Sequence, residues 1–206
     1  MVLVAWLAVH ELQLDVLPNW FPTYVGLESA ASLIRAYEVQ FVHGMLQTEA
    51  CARAVVKHGM KGANEADVEK RLALRWERQK YLFSKNARDF HIVLDETALR
   101  RPYGDRKVML GQLQHLIEVS EQPNVRLQIM PFSFGGHAGE SGAFTILSFT
   151  EPDLTDVVYL EQLTSALYLD KREEVAHYEK VLKELQQDSP GPDESRDLLP
   201  GFLQLS

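Results

Sequence analysis

The richest run of chemistry-bearing side chains is Phe132-Ser-Phe-Gly-Gly-His-Ala-Gly-Glu-Ser-Gly142. Its glycines would let a backbone approach a bound molecule closely, or would satisfy positive φ in a strand-to-strand connection. Phe132 and Phe134 offer stacking surfaces, and His137 and Glu140 offer polar contacts. Asp95 ends the apolar run Phe90–Leu94, and Glu161 follows Val157–Leu160. For acid–base chemistry, His137 or His43 would be the base, Glu140, Glu161 or Asp95 the acid or orienter, and Tyr103 or Tyr159 the hydrogen-bond donor. Each has a simpler reading as well: Asp95-Glu96 suits a helix cap, and Glu161 suits a hydrogen-bond partner for Tyr159.

Stronger local signatures are absent. There is no phosphate loop, dinucleotide fingerprint, nucleophile elbow or H-E-x-x-H pair. Seven histidines are dispersed without ligand spacing on one helix, so neither a metal nor a cofactor is expected. The single cysteine, Cys51, excludes an internal disulfide and reads as a small core residue in an alanine-rich helix.

These residues need elements to position them. Apolar residues at positions 2–17 read as an amphipathic helix stopped by Pro18, and a second helix is expected from about Gly26 to Glu38. Thr48 caps a third helix ending near Gly59, and Asn64 caps a fourth running to about Phe83. A helical turn over Thr97–Arg100, a helix over Val108–Ser120 and a charged helix over Lys171–Gln187 follow. Strands are expected at 90–94, 125–130, 143–149 and 157–160; the alternation in Val125–Met130 is the clearest. Ser189-Pro-Gly-Pro192 breaks the last helix before a short acidic end.

The chain has 206 residues, 46% hydrophobic and 24% charged, with net charge −8. That suits one globular domain and argues against whole-molecule affinity for nucleic acid. Thirteen Lys and Arg against eight acids lie between Lys57 and Lys107, whereas 13 acids against five bases lie from Glu151 onward. The basic middle reads as solvated helix faces; as a nucleic-acid surface it would give only salt-sensitive, non-specific affinity. Met1–Val9 lacks the basic flank of a signal peptide, and no stretch reaches spanning length, so a cytoplasmic protein without membrane contact is expected.

Several segments together resemble one family. Ile34-Arg-Ala-Tyr-Glu38 and Gly44-Met-Leu-Gln-Thr-Glu49 resemble its "IRAYE … VPGLLQTEEYARAV", with His43 where proline is usual. Arg78-Gln79 with Leu82 resembles "RQ…L", Val93–Arg101 resembles "VLDEAALRR", and Gln112–Leu116 resembles "QLxHL". Pro123–Phe132 resembles "PNVxxQVLPF", and Gly136–Gly139, Gly142–Phe144 and Val157–Glu161 follow in the same order. The family is the uncharacterised domain that follows an XRE-type helix-turn-helix in actinobacterial transcriptional regulators, often labelled antitoxin-like. Coverage is about residues 20–200.

The resemblance implies an α+β domain, with N-terminal helices packed on a small mixed sheet and a C-terminal helix. It divides the chain into a helical extension at 1–22 and an effector or partner-binding domain at 23–206. The first 20 residues carry no Lys or Arg, so sequence-specific DNA binding is not expected. The expected function is a regulatory module that binds a small hydrophobic molecule or a protein partner, with a homodimer as an option. Phe132, Phe134, His137, Glu140, Tyr159, Glu161 and Tyr103 are its expected contacts. The alternative is a stand-alone natural-product cyclase or isomerase using His137, Glu140, Glu161, His43 or Asp95.

Overall fold

A computed structural model of the chain describes residues 17–84, 87–151 and 153–205. The helix expected over 2–17 falls almost entirely outside these. The described elements are α1 (Phe21–Ala30), β1 (Leu33–Glu38), α2 (Glu49–Gly59), α3 (Glu65–Lys80), β2 (Asp89–Asp95) and α4 (Glu96–Arg100). They continue with α5 (Arg106–Ser120), β3 (Val125–Met130), β4 (Phe144–Ser148), β5 (Val157–Glu161), β6 (Ala166–Leu169), α6 (Arg172–Asp188) and α7 (Pro192–Leu205). Short 3-10 turns occupy Gly44–Leu46 and Phe132–Phe134.

The six strands form one mixed sheet in the order β3-β2-β1-β4-β5-β6. β3, β2 and β1 pair in parallel, and β4, β5 and β6 continue antiparallel. The fold is α+β, as expected. Two positions correct the sequence reading. Leu33–Glu38 is a central strand and not the second half of a helix. The helix ends at Ala30, and Ser32 N already donates to Ser148 O at 2.8 Å. Ile34 and Ala36 fit a helical stripe and a strand face equally well; pairing on both edges with β2 and β4 decides the matter. The short acidic end, given no element in the sequence reading, is helix α7.

Alternation along the strands separates two cores. Ile34, Ala36, Ile92, Leu94, Leu127 and Leu147 face α1, α3, α5 and α7. Tyr37, Val93, Phe144, Ile146 and Val158 face α6 through Val175, Leu182 and Leu185. On the α6 face Arg35 Nη2 donates to Ser148 Oγ, Asp156 Oδ2 and Glu179 Oε1 at 2.8–2.9 Å, tying β1, β4 and α6 together. α7 covers the open edge of β3, where Ile129 N donates to Ser195 Oγ at 3.0 Å. Among the described residues no helix is long and apolar enough to cross a membrane.

α1 and α3 are joined by a buried ion pair. Arg78 Nε and Nη2 donate to the two Glu28 oxygens at 2.6 and 2.8 Å, and Tyr24 OH donates to Oε1 at 2.8 Å. Burial alone would raise the Glu28 carboxyl, but the Arg78 guanidinium holds it below its ordinary value. Three glutamines clamp the loop after β1. Gln47 Nε2 donates to Val42 O, Gln79 Nε2 to Gly44 O and Gln47 O, and Gln112 Nε2 to Leu46 O, all within 2.6–2.9 Å.

Arg78→Leu would strand the Glu28 charge and lower unfolding free energy by about 3–5 kcal/mol. Urea unfolding should show that loss, with Glu28→Gln in the same chain restoring part of it.

Candidate functional site

The C-terminal end of β1 places consecutive residues on opposite faces of the sheet, Tyr37 toward α6 and Glu38 toward α3. Ligands of open α/β sheets gather at such strand ends, near the switch in strand order. On the Tyr37 side, Asp95 Oδ1 accepts from Thr97 N at 2.8 Å and so caps α4. Its Oδ2 accepts from Tyr37 OH at 3.3 Å and lies 3.5 Å from His137 Nε2. His137 Nδ1 accepts from Gly139 N at 3.1 Å, and Nε2 stands 3.4 Å from Tyr37 OH. Nδ1 is therefore the acceptor, which puts the proton on Nε2, toward Asp95. Burial first, and the Asp95 carboxylate second, raise the Tyr37 phenol.

This cluster is closed on itself. No imidazole lone pair is left for a substrate, and Tyr37 is buried. Its effect is to latch the glycine loop to the sheet. Gly139 lies so close that a Cβ there would stand 2.8 Å from Tyr37 Cζ. Gly135 and Gly142 answer the other reading, at φ 87° and 100°. Glu96 Oε2 accepts from Phe132 N at 2.8 Å, and the Arg100 guanidinium lies 5.5 Å over both the Phe132 and Phe202 rings. Phe132, Phe134 and Glu140 point outward, exposed.

The opposite face is arranged differently. Extending the β1–β4 and β4–β5 registers beyond Tyr37↔Phe144 and Thr145↔Tyr159 brings Glu38 and Glu161 to either side of Ala143. Two strand spacings put their Cα atoms about 10 Å apart. Tyr159, two residues before Glu161, shares this face and packs against Tyr24 at 4.3 Å and Tyr168 at 5.2 Å between ring centroids. Trp20 rims the mouth: Nε1 donates to Glu161 Oε1 at 3.4 Å, and Tyr168 OH donates to Trp20 O at 2.7 Å.

Polar groups here are poorly paired. The Tyr159 hydroxyl is buried and makes no well-formed hydrogen bond among the described residues, the Glu161 carboxylate being a weak acceptor for it. Burial, then the Glu161 carboxylate, raises it well above its ordinary value. Glu38 makes neither hydrogen bond nor ion pair among the described residues. It keeps some accessible surface, yet the atoms packed around its carboxyl push its pKa up to about 8, with Glu161 adding to the shift. From α3, burial lowers Arg75 to about 10; its guanidinium donates to Gln47 Oε1. We term this end of the sheet face, where Glu38, Tyr159 and the exposed Glu161 lie together, the carboxylate chamber.

The residues singled out from the sequence thus divide. Asp95 and His137 meet in the latch, and Tyr159 and Glu161 in the chamber. Tyr103 stands apart, edge-on to Phe41 and His58. His43 is buried, caps the Gly44–Leu46 turn by accepting from Met45 N at 3.2 Å, and is pushed down to about 4, chiefly by burial. As a neutral cap it offers no base. Glu38, Tyr37 and Arg75 were missed; the first two sit in the segment read as helix, where their opposite faces could not be seen.

The family model described as a domain of unknown function, DUF5753, matches residues 21–200. No curated protein and no solved structure matches the chain.

Gly139→Ala should lower stability by about 1–3 kcal/mol through overpacking against Tyr37 and quicken proteinase K cleavage of residues 132–142. Gly136→Ala, with open space at its Cβ, should do neither. Glu38 keeps in the folded chain a proton that the unfolded chain loses above about 4.5. Its stabilising effect is therefore full below that pH and lost as pH rises to about 8. Glu38→Gln should exceed the parent in stability by about 1–3 kcal/mol at pH 8, the gap closing toward pH 5 in urea titrations.

Proposed function

We propose, for a chain that belongs to the DUF5753 family, a small-molecule-binding regulatory module whose ligand enters the carboxylate chamber. One observation carries the reading. Among the described residues the buried Tyr159 hydroxyl has no more than a weak contact with the Glu161 carboxylate and the part-exposed Glu38 makes no hydrogen bond, beside a fully paired Glu28–Arg78. Buried hydroxyls are nearly always fully paired, so a weakly held one beside two carboxyls marks where a ligand would supply a partner. The resemblance to the domain that follows an XRE-type helix-turn-helix supports a regulatory setting. In this reading the module is the receiving half of such a switch. The exposed Phe132 and Phe134, held by the latch, are the surface through which a protein partner or a second copy would register a change in the loop.

An enzymatic reading has one observation in its favour. A Glu38 carboxyl raised to about 8, across Ala143 from a second carboxyl at Glu161, is the arrangement of an acid–base pair, with Tyr159 as donor. A cyclase or isomerase acting on a hydrophobic natural product would use these residues and not His137, whose nitrogens are both engaged.

Thermal-shift screening against metabolites tests the module. A binder should raise the parent's melting temperature by several degrees, and Tyr159→Phe and Glu38→Ala should each remove most of that rise. Binding untouched by either substitution would refute the chamber as the site. Turnover of the binder to a product would decide for the enzyme.

A further inference from the structure

Helix α5 carries its charges in the reverse order of α2 and α3. Those two have acids in the first turn and bases in the last, which suits the helix dipole. α5 has no acid in its first turn and no base in its last: Arg106 and Lys107 open it, and Glu118 and Glu121 close it. The dipole therefore does not account for these charges. Nor does the rest of the fold, for neither Lys107 nor Glu118 makes an ion pair among the described residues. Glu118 accepts one long hydrogen bond, from Gln114 Nε2 at 3.4 Å.

The outward stripe of α5 is Lys107, Gly111, Gln114 and Glu118, all exposed and within about 60° of one another around the helix. Gly111 lies mid-helix, where glycine weakens the structure, and the space at its Cβ position is open. No described neighbour requires a glycine there, whereas a second backbone approaching closely would. The half-buried Leu110 and Ile117 border the stripe on one side.

Turned end to end, this stripe is complementary to itself. A two-fold axis midway between Gly111 and Gln114 sets Lys107 against the partner's Glu118 and Gly111 against the partner's Gln114, each twice over. Leu110 then meets the partner's Ile117. Lys107 and Glu118 lie about 16 Å apart along the helix, so both ion pairs form at once at the two ends. Each end of each dipole also receives a charge of the sign it favours. We infer that two copies of this chain pair through α5, antiparallel, in an isologous dimer with Gly111 at the crossing. The basic end of α5 follows Arg100 after a short loop, and the Arg100 guanidinium lies over the Phe132 ring. The partner's acidic end comes to rest near that turn. A second copy is thus the partner that registers the loop, a link that rests on the reading just given; the dimer itself does not.

Sedimentation velocity of the full chain over a range of concentrations, at low and at high salt, tests this. A reversible dimer should form in the micromolar range and weaken as salt screens its ion pairs. Lys107→Glu and Glu118→Lys, each alone, should weaken it roughly tenfold or more, because every pair becomes a like-charge contact. An equal mixture of the two variants should dimerise as well as the parent, since both pairs are restored. Gly111→Leu should abolish the dimer while raising the melting temperature of the dilute chain, as leucine favours the helix. A chain that stays monomeric at every concentration would overturn the dimer. A dimer indifferent to all three substitutions would overturn α5 as its interface. Neither result depends on the metabolite screen, so failure of the dimer and failure of the chamber are read apart.

Discussion

The position of Leu33–Glu38 as the shared central strand is the constraint on which the rest depends. β1 pairs in parallel with β2 on one edge and antiparallel with β4 on the other, so it is where the sheet changes character. Strand alternation then sends Tyr37 and Glu38, neighbours in the chain, to opposite faces. One completes the loop latch and the other forms the inner wall of the chamber. A slip of one residue would exchange them and put a carboxyl among Val93, Phe144 and Ile146. Register is held from both sides, by the Ile34 and Ala36 face against the helices and by Arg35 reaching Ser148, Asp156 and Glu179.

The two faces obey the same rule with opposite outcomes. A buried polar group without a partner costs on the order of 1–3 kcal/mol. On the latch face, where the buried Arg35 Nε nearby goes without a partner, the cluster itself is paired internally, Asp95 with Thr97, Tyr37 and His137, and His137 with Gly139. In the loop after β1 the glutamine clamps do the same for backbone carbonyls. On the other face the Tyr159 hydroxyl retains part of that cost, which in the proposed reading a ligand would recover.

Much of this was legible in the sequence, for identifiable reasons. The caps at Thr48, Asn64 and Asp95 are local chemistry and stand as expected, with side chains accepting from Cys51 N, Asp67 N and Thr97 N. Val125–Met130 alternates cleanly because one face meets the helices and the other meets α6. Leu33–Glu38 misled because a short apolar run has no period of its own; only its partners, some 55 and 110 residues away in the chain, determine its state. The candidate site failed in the same place. Asp95, His137, Tyr159 and Glu161 were visible as strand-end and loop residues, but their division between two faces needed the register. Glu38 was hidden because nothing local distinguishes a solvated helix glutamate from a carboxyl enclosed beside a like charge.

The protonation state of Glu38 is the most direct test of the account. Carbon-13 NMR titration of the side-chain carboxyls, with Glu38→Gln identifying its resonance, reports that state without any ligand. The account predicts a midpoint near 8, falling when Glu161 is replaced by Gln, because burial and the neighbouring carboxylate both oppose ionisation. A midpoint near 4.5, unmoved by that replacement, would mean a solvated carboxylate and no chamber.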